Sequence, residues 1–210
     1  MNTRPFPKTT AFLYNKDIHV HTERQPSVTY SIGLYFDPQT ETEIRRIWQI
    51  MAENAIEEYL YSSANRPHIT LTIFEDLDTN KAENLLRDFA LRHTPFPISF
   101  QAIGLFPSTA AIFLNPVVTG QLLNIQRELH NLLVPFAALP EFPYYLPDQW
   151  IPHCGLAIEM PLKNLLPAVK TAIDNLVLPL NGEVIEIGLT SFRPVVHLLG
   201  YRLGGEQYCC

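Results

Sequence analysis

Two histidines occupy matching places along this chain. His68 follows Pro67 and precedes Thr70 by two residues, and His153 follows Pro152 and precedes Gly155 by two. Side chains alternate along an extended strand, so His68 and Thr70 share one face while Ile69 and Leu71 take the other. An imidazole moves protons near neutral pH, and a hydroxyl beside it can donate to a non-bridging phosphate oxygen. Two imidazoles across one groove would divide phosphodiester cleavage between them. One removes the proton of the attacking hydroxyl or water, and the other protonates the leaving oxygen, each transfer contributing about 10²- to 10⁴-fold.

A metal is the first rival for any histidine pair. Neither motif carries the usual companions, such as His-Glu-x-x-His on a helix or paired cysteines. Cys154 adjoins His153 and so points to the opposite face of the strand. Neither a metal nor another cofactor is expected. Either histidine alone would read as a satisfied core residue, and the pairing argues for chemistry.

The elements that must position the pair form a repeated pattern. Val28 to Phe36 alternates as a strand, and Asp37-Pro38 supplies an N-cap with proline at the first helical position. Ile44, Ile47, Trp48, Met51, Ala55 and Tyr59 recur at helical spacing, which predicts a helix to about Tyr61. Arg66 to Phe74 is the next strand, Asp78 caps a second helix, and Phe96 to Phe106 is a third strand. The second half begins with a strand over Ala110 to Leu114 and a helix capped by Thr119. A loop rich in proline and aromatic residues, Val134 to Asp148, leads to a strand over Trp150 to Ile158. Pro161 opens a helix, and strands Glu183 to Thr190 and Pro194 to Leu203 close the chain as a hairpin. Both halves therefore read strand, helix, strand, helix, strand. From the start of the preceding helix to the histidine is 30 residues in the first half and 34 in the second. The next helix starts 10 residues after His68 and 8 after His153.

Composition sets the frame around these motifs. The 210 residues are 47 % hydrophobic and 17 % charged, which suits one large domain or two small lobes sharing a core. Residues 1–27 read as an irregular arm and 28–210 as a single bilobal domain. No apolar run approaches a membrane span and the opening is not a secretory signal, so a cytoplasmic protein is expected. The net charge of -6 argues against broad binding to nucleic-acid backbone but leaves room for a local phosphate pocket. Of three cysteines, Cys209 and Cys210 end the chain, which is neither a disulfide framework nor a metal pattern. A terminal Cys-Cys also occurs as a prenylation signal, although a frayed tail is the plainer reading.

Pro67-His68-Ile69-Thr70-Leu71 and Trp150-Ile151-Pro152-His153-Cys154-Gly155-Leu156-Ala157 resemble the two signature strands of the two-histidine phosphoesterases. Within that superfamily the chain is most similar to the 2′-5′ RNA ligase-like and cyclic phosphodiesterase branch, over about residues 28–203. The resemblance implies an α+β, bilobal, pseudo-symmetric fold, with two antiparallel sheets around a central groove and helices outside. It implies action without metal on 2′,3′-cyclic phosphates or 2′-5′ linkages in RNA or nucleotide-derived molecules. His68 and His153 would be the proton-transfer pair, and Thr70 the phosphate-binding hydroxyl. Gly155 departs from the pattern, because the family usually carries Ser or Thr there. A backbone amide or water could take over, a larger substrate could need the space, or the protein could bind without efficient turnover.

Further contacts are open to more than one reading. Arg66 and Arg193 could meet phosphate or form ion pairs. Tyr144, Tyr145 and Trp150 could stack on a base or fold onto the core, and Tyr35 could line the groove. His19, His21, His93, His130 and His197 have no partner pattern and no assigned role. The expected partner is an RNA end or a small nucleotide phosphoester, bound by a monomer. The alternatives are a non-catalytic RNA or nucleotide sensor, favoured by Gly155, and an interaction protein whose motifs match by chance.

Overall fold

The computed structural model describes residues 29–75, 77–136 and 143–205. The arm and the terminal Cys-Cys fall outside these residues. The described chain is α+β. Strand β1 (Thr29–Phe36) is followed by helices α1 (Pro38–Glu53) and α2 (Tyr59–Ser62), then β2 (His68–Glu75), α3 (Thr79–Arg92) and β3 (Phe96–Phe106). The second half continues with β4 (Ala111–Pro116), α4 (Gly120–Leu133), β5 (Cys154–Ala157), α5 (Leu165–Asn175), β6 (Leu180–Phe192) and β7 (Val196–Arg202).

All strand pairings are antiparallel, in the order β2-β1-β6-β3-β4-β5, with β7 also on β6. The seven strands form one continuous antiparallel sheet, and the two expected sheets are its halves, joined through the shared strand β6. Its first residues, Leu180 to Val184, pair with β3, and from Val184 onward it pairs with β1. Beyond that switch β7 takes the place of β3, from Glu186 to Ser191. One lobe is thus β2-β1-β6-β7, the other β5-β4-β3-β6, and β2 and β5 are the outer strands that meet across the groove. Helices α1 and α5 lie together, as do α3 and α4. Their apolar faces and the inward strand residues, among them Ile44, Ile47, Leu86, Leu129, Ile69 and Leu189, form one fully buried core. No helix among the described residues is long and apolar enough to cross a membrane.

The first helix is shorter than its periodicity suggests. It ends at Glu53, where Ala55 takes a left-handed φ of 52°. The Ala55 amide donates to the Ala52 carbonyl and the Ile56 amide to that of Met51, the closing pattern that glycine usually supplies. This turn sends Ile56 into the core and starts α2, which carries Leu60 to the groove. The other end of α1 follows the sequence closely. The Asp37 carboxylate accepts from the Gln39 and Thr40 amides, the Thr40 hydroxyl and the Glu183 amide, so the cap also fastens α1 to β6. Strand β5 is shorter than expected because residues 150–153 leave the ladder. There Pro152 has no amide to donate, and its carbonyl accepts instead from the Asn115 side chain at 3.2 Å.

Candidate active site

A cleft of about 540 Å³ opens between the lobes, and His68, Thr70, His153 and Gly155 all line it. His68 and Thr70 stand on one face of β2, whose alternate residues Ile69 and Leu71 are fully buried. Cys154 is likewise fully buried, between the cleft-facing His153 and Gly155. The alternation expected of both motifs holds, and pairing of Tyr35 with His68 and of Phe113 with Gly155 fixes their registers.

The two imidazoles are held alike. His68 Nδ1 lies 2.6 Å from the Arg66 carbonyl, and His153 Nδ1 lies 2.7 Å from the Ile151 carbonyl. A carbonyl only accepts, so each Nδ1 carries the proton and each neutral ring keeps Nε2 as its free base. Burial pushes the His68 pKa down to about 4, against the Arg66 carbonyl, with the nearby imidazoles of His197 and His153 adding to the depression. Burial also lowers that of His153, opposed by the Ile151 carbonyl. Tyr35 packs on the His68 ring at 5.7 Å, and Phe106 and Phe113 enclose His153 at 5.1 and 5.2 Å. Gly33 sits opposite Thr70 on β1, and a Cβ there would lie 3.1 Å from the His68 ring, so glycine leaves the ring its place.

Both tryptophans of the chain hold the motif strands from outside the ladder. The Trp48 indole donates to the Gly155 carbonyl at 2.9 Å, and the Trp150 indole donates to the Thr70 carbonyl at 3.0 Å. Each bond grips the residue two after a histidine. Trp150 was a candidate for stacking on a base; it is buried and does not line the cleft. A Trp150→Phe variant should lose about 1–3 kcal/mol of stability in urea denaturation, because the Thr70 carbonyl loses its partner in a buried setting.

Arg66 forms the ion pairs that were one of its two readings. Its guanidinium bridges Glu41 at 2.7 Å and Glu186 at 2.8 Å and stacks over the Tyr35 ring at 4.4 Å. It does not line the cleft. Arg193 does line it, resting over the Tyr59 ring at 4.7 Å and paired with Glu159. Tyr35, Tyr144 and Tyr145 line the cleft as well. The buried Tyr145 hydroxyl bonds the Thr70 side chain, and its carbonyl accepts from Gln126 at 2.7 Å, which fixes this end of the aromatic loop on β2.

Some cleft residues have no signal in the sequence motifs. The hydroxyls of Tyr35 and Thr190 share a bond of 2.9 Å, and Thr190 lies 3.3 Å from Nδ1 of His197, whose Nε2 donates to the Ala64 carbonyl at 2.8 Å. A third histidine therefore stands beside His68, at the end of a chain of bonds that holds Tyr35. Burial raises the Tyr35 phenol to about 12, against the bond from Thr190, so it stays protonated. Ser108 and Thr109, on the turn between β3 and β4, bring hydroxyls to the cleft. Among the described residues, no three His, Cys, Asp or Glu side chains gather as a metal site.

The match with known proteins accords with this arrangement. A family model described as the 2′-5′ RNA ligase superfamily matches residues 36–193. A solved phosphoesterase is 16 % identical with a TM-score of 0.53, the match covering 84 % of this chain and 98 % of that one. Escherichia coli LigT complexed with 3′-AMP is 14 % identical, with a TM-score of 0.54 over 84 % of this chain and 98 % of its own. The same protein complexed with NADP+ is 16 % identical, with a TM-score of 0.52 over 85 % and 99 %. At these identities the structures speak to the fold. No curated protein matches the chain. With the family model spanning both histidine motifs, the chain belongs to the 2′-5′ RNA ligase superfamily of two-histidine phosphoesterases.

Proposed function

We propose that this chain cleaves 2′,3′-cyclic phosphates or 2′-5′ phosphodiesters of RNA or nucleotide-derived molecules, without a metal, by acid–base catalysis between His68 and His153. One observation carries the reading: equivalent strands bring both imidazoles to one cleft, each with Nδ1 on the carbonyl two residues back. That arrangement leaves two Nε2 atoms for proton transfer, one taking the proton of the nucleophile and one returning a proton to the leaving oxygen. Thr70 donates to a non-bridging phosphate oxygen, Arg193 supplies positive charge at the mouth, and Tyr35 and Tyr145 shape the walls. The LigT structures with 3′-AMP and NADP+ support a nucleotide-like ligand for this fold. Gly155 favours a second reading, a nucleotide sensor that keeps the groove and has lost turnover.

The test is hydrolysis of nucleoside 2′,3′-cyclic phosphates and short 2′-5′-linked oligonucleotides in excess EDTA. Turnover that survives the chelator supports the reading; a folded protein inactive on every substrate favours the sensor. The pH dependence is a second expected result. The reaction needs one neutral and one protonated imidazole, and burial lowers both pKa values below the ordinary 6.5. At pH 7 both rings are then neutral and the acid is scarce. The singly protonated pair grows as pH falls and is lost again when the second ring protonates. The kcat/KM profile, which reports the free enzyme, should therefore peak below pH 6.5. A maximum above pH 7 would count against this pair.

A further inference from the structure

The charges around the cleft say which phosphoesters it can take. Among the described lining residues, Glu159 and Arg193 are the only Asp, Glu, Lys or Arg, and they are paired with each other. Arg66, the other cation near His68, is held by Glu41 and Glu186. Aside from the histidines, which are neutral at pH 7, the lining carries no net charge. A second hollow of about 370 Å³ adjoins the mouth, sharing Tyr59, Ile158, Glu159 and Arg193 with the cleft. It adds Glu58 and the buried Glu57, whose carboxylate accepts from the Tyr59 and Leu60 amides, so among the described residues a nucleic-acid chain leaving on that side would meet no cation beyond the paired Arg193.

A protein that follows a nucleic-acid backbone neutralises several phosphates, and its affinity falls steeply with salt for that reason. Here, among the described residues of the cleft, at most one phosphate finds a guanidinium, and it must take that guanidinium from Glu159. The rest of the wall is uncharged apart from the histidines and mostly apolar or aromatic, with Tyr59, Tyr144, Phe106, Phe192 and Ile158 beside the hydroxyls of Ser108, Thr109 and Thr190. The volume suits one enclosed small molecule, for which sites of about 300–1,000 Å³ are usual.

Resting on the phosphoesterase reading above, we infer that the substrate is a monomeric cyclic phosphodiester with a single negative charge and one aromatic group, and that the cleft discriminates against oligonucleotides. The lone phosphate sits at Thr70 and the histidines, where one charge is enough. The aromatic group lies on the tyrosine and phenylalanine side chains, which stack with any base and read no sequence. Further phosphates gain little, because the one guanidinium among the described lining residues is held by Glu159.

The experiment compares kcat/KM of the full chain for three substrates, each at 50 and 200 mM salt. They are adenosine 2′,3′-cyclic phosphate, an eight-nucleotide RNA ending in the same cyclic phosphate, and ribose 2′,3′-cyclic phosphate without a base. The expected result is at least a tenfold preference for the adenosine monomer over both others, with less than a threefold change between the two salts. A preference for the RNA, or a tenfold or greater loss between the two salts, overturns the inference and leaves the phosphoesterase reading standing. Equal use of the base-free ribose compound overturns the aromatic part of it. If nothing turns over, the phosphoesterase reading fails, and calorimetric binding of the same three compounds decides. Tighter binding of the adenosine monomer supports the inference, while tighter binding of the RNA, or no binding, overturns it.

Discussion

Alanine at His68 is expected to lower kcat on a cyclic phosphate by about 10²- to 10⁴-fold, and alanine at His153 by a similar factor. The two rings stand in equivalent settings, half-buried, each tied by Nδ1 to a carbonyl of its own strand. Neither variant removes a bond that holds one lobe to the other. Circular dichroism and the denaturation midpoint should thus stay near those of the parent while turnover falls. The double variant should be little worse than the poorer single one, because base and acid serve one proton-transfer event and the second loss has little left to remove. His197→Ala provides the contrast. It breaks the contact with Thr190 and leaves both Nε2 bases in place, so its loss should be under tenfold. If turnover persists in both single variants, the chemistry lies elsewhere in the cleft. If His197→Ala costs as much as His68→Ala, the third histidine takes part directly.

How much of this was legible in the sequence follows the distance between interacting residues. Caps and periodicity act over a few residues, and the starts of α1, α3 and α4 at Asp37, Asp78 and Thr119 stand where those signals put them. The histidine motifs were legible because alternation along a strand is local and their repetition could be counted. What escaped was long-range. The Trp150 indole finds its acceptor 80 residues away, so proximity to Tyr144 and Tyr145 suggested stacking while a distant carbonyl decides its role. The carboxylates that claim Arg66 come from 25 residues before it and 120 after it. His197 lacks a motif of its own because its partners, Thr190 and the Ala64 carbonyl, come from a neighbouring strand and from the segment leading into β2. The sharing of β6 between lobes was hidden for the same reason, since a long strand does not reveal that it changes neighbours at Val184.

Threonine at Gly155 is expected to raise turnover about 10- to 100-fold. The gain would come from a side-chain donor two residues after His153, which Gly155 does not supply. A donor to a charged oxygen contributes about 1.5–3 kcal/mol, and each 1.4 kcal/mol is about tenfold. The backbone can accept the change. Gly155 is not among the residues at positive φ, and its carbonyl stays anchored to the Trp48 indole. A Cβ would lie 3.4 Å from Ile158 Cγ2 and 3.8 Å from Leu60 Cδ1, ordinary contact distances. Those neighbours are apolar, so the threonine methyl would rest against them and leave the hydroxyl toward the cleft, as Thr70 stands on the other strand. Serine has no methyl to fix its rotamer and should give a smaller gain. Valine matches threonine in shape and should give none, which separates the hydroxyl from mere filling of space. A parent that binds without turnover, converted by threonine into an active enzyme, would establish the sensor reading for the natural protein. An active parent that threonine leaves unchanged would mean that Ser108 or Thr109 already supplies the second donor. A variant that loses activity while remaining folded would show that the substrate itself occupies the space above Gly155.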